Sequence, residues 1–141
     1  MKKLLVLFLA LLTIAALAGC SSGREIIIRN DLDVVLYGVY VSPSSDEQWG
    51  DPVNYTLIRP GAKLRVDYET LATDTAYYDF IAVDENELYY DVRDFSLRVG
   101  DTLALSVDGD TALLTVTRED GKSSTYDGYA YHPDALESGA G

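Results

Sequence analysis

The chain reads as all-β: an antiparallel β-sandwich or small barrel of seven to nine short strands, preceded by a helical signal peptide. Three observations point there. β-branched and aromatic residues gather in runs of four to eight. Clusters of Gly, Pro, Asn and Asp punctuate those runs every 8–12 residues or so. Beyond the N-terminal segment no window sustains a 3.6-residue period, so no long helix is expected.

Arg24 to Arg29 is a short β-branched run, closed by the turn residues Asn30, Asp31 and Asp33. Val34 to Val41 carries apolar or aromatic residues on both parities. A strand covered on both faces reads this way, which places it centrally in its sheet. Ser42 to Pro52 holds two prolines and a glycine among polar residues and is a loop. Asn54 to Ile58 is a candidate short strand before Arg59-Pro60-Gly61. Lys63 to Tyr68 alternates, with Leu64, Val66 and Tyr68 facing the core. A polar connection runs from Glu69 to Thr75.

Ala76 to Val83 is a second strong strand, and Asp84-Glu85-Asn86 turns the chain into its partner, Glu87 to Val92. Phe95 to Val99 is short. Thr102 to Val107 and Thr111 to Arg118 form a hairpin about Asp108-Gly109-Asp110. Glu119 to Lys122 turns again, and Ser123 to Tyr131 reads as an edge strand. The domain plan is residues 1–19 as a lipoprotein signal peptide, 20–24 as a lipidated N-terminus and spacer, 25–131 as the β-domain, and 132–141 as a tail.

The N-terminal segment specifies location. Lys2 and Lys3 precede an apolar stretch from Leu4 to Leu17, too short and wrongly flanked for a spanning helix. Leu17-Ala18-Gly19-Cys20 resembles a bacterial lipobox. That resemblance implies cleavage before Cys20 and a diacylglycerol on its thiol, with palmitate-type acyl chains holding the protein to a membrane. Ser21, where a retention signal would carry Asp, implies the outer membrane in a two-membrane cell. Cys20 is the only cysteine, so no intrachain disulfide is expected.

The whole chain carries a net charge of −12. The leader contributes two lysines and no acid, so the part beyond it stands at −14. Such a chain repels phosphate backbones, which excludes nucleic acid as a natural partner. It also repels anionic lipid, leaving the acyl chains as the membrane contact.

The Ser42–Asp51 loop is the most distinctive stretch. Ser44, Asp46, Trp49 and Asp51 are its candidate ligand-binding residues. Trp49, the only tryptophan, offers an aromatic platform beside polar groups, a combination suited to a glycan or a protein. Its competing role is a plug for one end of the core. The stretch from about residue 25 to 95 also resembles an uncharacterised exported β-sandwich domain. Its pattern is Ile26 to Asn30, Tyr37 to Ser44, Trp49-Gly50, Leu57 to Gly61, and Tyr78-Asp79 through Val83-Asp84-Glu85. The turn after Glu85 lacks the glycine of that pattern. The resemblance implies a β-sandwich and carries over no catalytic residue.

No cofactor is expected, and zinc lacks the His and Cys ligands it favours. Acidic loops at Asp46, Glu47 and Asp51 and at Asp84, Glu85 and Glu87 have the oxygen chemistry of calcium sites without a recognised calcium-loop pattern. Asp79 lies in an apolar strand. It either faces solvent or points inward, in which case it needs Arg65, Arg93 or backbone N–H groups as partners. His132, the only histidine, sits in the tail, so no catalytic triad is expected. The sequence therefore reads as a lipid-anchored envelope module that binds protein or glycan and is not an enzyme. Its alternatives are a structural or assembly lipoprotein without a ligand, and a small carboxylate-based hydrolase.

Overall fold

The computed structural model describes residues 24–71 and 75–133. The signal segment, Cys20 and most of the tail lie outside the described residues. Eight strands form one sheet: β1 (Glu25–Asn30), β2 (Leu36–Pro43), β3 (Lys63–Asp67), β4 (Tyr77–Asp84), β5 (Tyr89–Ser96), β6 (Thr102–Asp108), β7 (Thr111–Thr117) and β8 (Ser123–Tyr131). The order is β2-β4-β5-β8-β7-β6-β1-β3, and the sheet curls into a half-barrel. The all-β class and the strand number agree with the sequence.

Curling lets one sheet enclose its own core. Ile26, Ile28, Leu36, Val39, Phe80, Val92, Phe95, Leu103, Leu105 and Leu114 are all fully buried on the inner face. Tyr78 and Tyr90 join them, while Tyr77 and Tyr89 turn outward, so each tyrosine doublet divides between the faces. The doublets do not meet across the hairpin: Tyr77 lies opposite Ser96, and Tyr89 opposite Val83. Tyr89 instead meets the ring of Tyr131 at 5.9 Å.

Four strand readings need correction. β2 is terminal in the sheet, not central. Its double parity has another cause, a bulge between Leu36 and Gly38 that switches the inward set from Leu36 to Val39 and Val41. β8 is not an edge: it pairs with β7 along its length and with β5 at Tyr129, Ala130 and Tyr131. Gly128 permits that second pairing, because a Cβ there would stand 1.9 Å from the Asp91 carbonyl oxygen. Phe95 does not begin a separate strand. β5 runs through to Ser96 across a bulge at Arg93 and Asp94, with Asp94 at φ +56°. The segment 54–58 is no strand and contributes a single bridge, Leu36 to Ile58. One further pair departs from the antiparallel pattern, since β1 and β6 run parallel.

That bridge belongs to a seam where the two sheet ends approach. Asn30 is fully buried and ties the end of β1 to the turn before β2 and to the Ile58 segment. Its Nδ2 donates to the carbonyls of Val34 (2.8 Å) and Ile58 (2.9 Å), and its Oδ1 accepts from Leu32 N–H. Asn54 does the same for β2: Oδ1 accepts from Val39 N–H, and Nδ2 donates to Tyr37 and Thr56 carbonyls. An asparagine side chain carries the donor and acceptor of a peptide group, so it can stand in for a missing strand. The Asp84 turn closes the same end. Buried Asp84 accepts from Asn86 N–H, Leu88 N–H and the Tyr90 hydroxyl (2.8 Å).

Candidate functional site

The other end of the seam is open. Between Val41–Pro43 of β2 and Arg65–Asp67 of β3 lies a cleft of about 480 Å³, within the range of small ligand sites. The 42–55 loop forms one wall. Trp49, Asp46 and Asp51 line it, joined by Tyr55, Arg65 and Asp67. Thr70 and Leu71, at the end of a short 3-10 turn over Tyr68–Thr70, complete the lining. Asp46, Asp51 and Asp67 are exposed, and Tyr55 is 99% exposed.

Three of the four loop residues named from sequence thus meet on one surface. Ser44 does not share it. Its hydroxyl donates to Asp79 Oδ1 at 2.8 Å, which anchors the base of the loop to β4. Asp79 faces outward, with the parity opposite to Phe80 and Ala82, yet is only 8% exposed. It also accepts from Asp94 N–H at 2.9 Å and lies 3.7 Å from Arg93. The carboxylate therefore satisfies the N–H released by the β5 bulge directly opposite it. Of the partners named from sequence, Arg93 and a backbone N–H are realised, and Arg65 pairs with Glu25 instead.

Trp49 is half-buried. The Arg93 guanidinium sits 4.9 Å from its ring centroid, a cation–π contact. Arg93 is itself held by a two-pronged bond to Asp91, at 2.6 and 3.0 Å. A guanidinium fixed by a carboxylate is a rigid shelf, so the indole has a defined seat beside the cleft rather than a place in the core. Arg93 gives no sequence signal for this role. Its i, i+2 pairing with Asp91 reads as ordinary strand surface, and its approach to Trp49 depends on the loop fold.

Among the described residues no group of three or more His, Cys, Asp or Glu side chains is placed to hold a metal ion. Asp84 of the acidic turn spends its oxygens on the turn itself. No protein-family model, curated protein or solved structure matches the chain.

Proposed function

We propose that this chain is a lipoprotein anchored through Cys20, whose β-domain binds a protein or glycan of the cell envelope in the cleft between β2 and β3. The observation that carries the reading is the convergence of Asp46, Trp49 and Asp51 with Tyr55, Arg65 and Asp67 on that one cleft. An aromatic ring on a fixed seat, flanked by carboxylates and one guanidinium, offers stacking and hydrogen-bond acceptors in the arrangement that polar ligands use.

The lipobox supports the address, the outer membrane in a two-membrane cell. The first strand begins at Glu25, and four residue steps from Cys20 to Arg24 span at most about 14 Å. The cleft lies at the same end as that exit, because Arg24 bonds Tyr68 next to Asp67. A ligand would then be met close to the bilayer.

Trp49 is the only tryptophan, so its fluorescence reports on the cleft directly. Titration of the full-length protein with envelope oligosaccharides and envelope-derived peptides should give a saturable change for at least one of them. The change should vanish in Asp51→Asn plus Asp67→Asn. No saturable change with any probe would defeat the binding reading. Labelling with an acyl precursor should mark wild type and spare Cys20→Ala; an unlabelled wild type would defeat the anchor. The Arg93–Trp49 contact also favours a second reading, in which the loop is only a brace and the protein is a structural lipoprotein. In that case Trp49→Ala lowers stability and no ligand is found.

A further inference from the structure

The cleft is bounded by two strand edges, and their backbones are turned into it. In β3 the direction follows from the ladder with β1. Tyr68 N–H bonds the Arg24 carbonyl, and Asn30 N–H bonds the Ala62 carbonyl. Antiparallel pairing alternates, so Leu64 and Val66 bond β1, and the N–H and C=O of Lys63 and Arg65 point to the open side. On β2 the same logic applies. Val39 N–H and C=O point away from β4, to Asn54 and Val53. Two residues on, Val41 N–H and C=O must point the same way. No described residue bonds them, although Val41 is only 5% exposed.

A backbone N–H and C=O that are neither paired nor well exposed are costly to leave so. At the other end of the seam Asn54, Asn30 and Ile58 fill this role. At the cleft end no described residue does, and on the facing edge of β3 the peptide groups of Lys63 and Arg65 are likewise turned outward. A half-barrel whose end strands face each other across a cleft, with the Val41 peptide groups free on one side and those of Lys63 and Arg65 turned outward on the other, has the shape of a missing strand.

We propose that the ligand of this cleft is an extended, basic peptide segment of a partner protein, which adds as a strand between β2 and β3 and completes the barrel. This rests on the cleft being the binding site. Main-chain bonds to Val41 and Arg65 hold the segment, and alternate side chains reach the cleft walls. The charge of the site selects basic residues. Asp46, Asp51 and Asp67 line it against the single cation Arg65, on a chain of net charge −12. Trp49, seated on Arg93, covers one end of the inserted strand.

The test uses full-length protein in detergent and short synthetic peptides of about six residues, a length typical of strands. One alternates lysine and valine. A second has the same sequence with alternate backbone nitrogens methylated, and a third replaces lysine with glutamate. A tetramer of N-acetylglucosamine serves as the glycan probe. Trp49 fluorescence should saturate with the lysine peptide. Methylation should weaken binding roughly ten-fold or more, the equivalent of one or two lost backbone bonds. The glutamate peptide should not bind. Amide exchange at Val41 and Arg65 should slow only in the bound state.

Arg65→Pro removes an outward N–H without touching the β1 ladder, so it should weaken binding while leaving the melting temperature close to wild type. Should that variant unfold, the methylated peptide decides the matter alone. Equal affinity for the methylated peptide overturns strand addition and leaves a charge-reading cleft. Binding of the glycan with none of the lysine peptide overturns this proposal and keeps the binding cleft. Silence from every probe overturns both.

Discussion

The two ends of the β2–β3 seam solve one problem in opposite ways. At the Leu36 end, side chains replace the strand that is not there. Asn30 and Asn54 present amide groups to free main-chain donors and acceptors, and both are buried. At the Val41 end Asp46 and Asp51 stay exposed, and no described side chain bonds the Val41 peptide groups. The carboxylates differ as well. Asp84 at the closed end accepts three internal bonds, and Asp79 beneath the loop accepts two that anchor the loop base, whereas Asp46 and Asp51 at the cleft face water. Polar groups turned inward stabilise a fold, and polar groups turned out around an unfinished edge are available to a partner.

Breaking the closed end should cost most. Asn30→Ala leaves the Val34 carbonyl and the Leu32 N–H without partners and takes one of two donors from the Ile58 carbonyl, at a cost of about 2–4 kcal/mol in urea unfolding. A loss below about 1 kcal/mol would show that water replaces the amide. Asn54→Ala should cost about 1–3 kcal/mol, and Asn54→Asp no less, because its carboxylate keeps the acceptor for Val39 N–H but sets an oxygen against the Tyr37 and Thr56 carbonyls.

Tyr90→Phe tests the Asp84 turn and carries a pH signature. Burial, with the Asp84 hydrogen bond adding to it, holds the Tyr90 phenol above its ordinary value near 10. Above pH 10 the unfolded chain releases that proton while the folded one keeps it. Stability is therefore intact below pH 10 and falls as pH rises, by about 1.4 kcal/mol per pH unit for this group. The variant should lose about 1–2 kcal/mol at neutral pH and show a shallower fall above pH 10. Equal alkaline slopes would place the buried phenol outside the stabilising network.

The open end should behave differently. Trp49→Ala removes a half-buried ring and one cation–π contact, about 1 kcal/mol of stability, yet should abolish peptide binding. A large stability loss would make the indole a core plug. The smallest effect is expected at Glu87, which holds φ +63° in the Asp84 turn without being glycine. Glu87→Gly should relieve that conformation and raise the unfolding free energy measured in urea by up to about 0.5–1 kcal/mol, with binding unchanged.

Much of this was legible in the chain. Period-two alternation located β3 to within a residue, and the flanking turn residues bracketed β6 and β7 as closely. The turn residues Asp84–Asn86 and Asp108–Asp110 marked two hairpins. The loop at Ser42–Asp51 stood out by composition, and three of its four named residues line the cleft. Illegible features share one cause: they depend on a partner distant in sequence. The β2 bulge mimicked a central strand because it moves apolar residues to both parities. β8 read as an edge because its polar residues show exposure of a face and say nothing about pairing along its sides. Ser44 and Asp79 are 35 residues apart, and only folding makes them one bond.

By itself, then, the sequence determined the all-β class, the turns and the apolar core, because side-chain periodicity and turn chemistry are local properties. Strand order, the parallel β1–β6 pair and the half-closed seam were decided by tertiary structure, because hydrogen-bonded neighbours are chosen among strands far apart in the chain. The cleft is a product of that choice: it exists where two edges face each other and no described side chain fills the space between them.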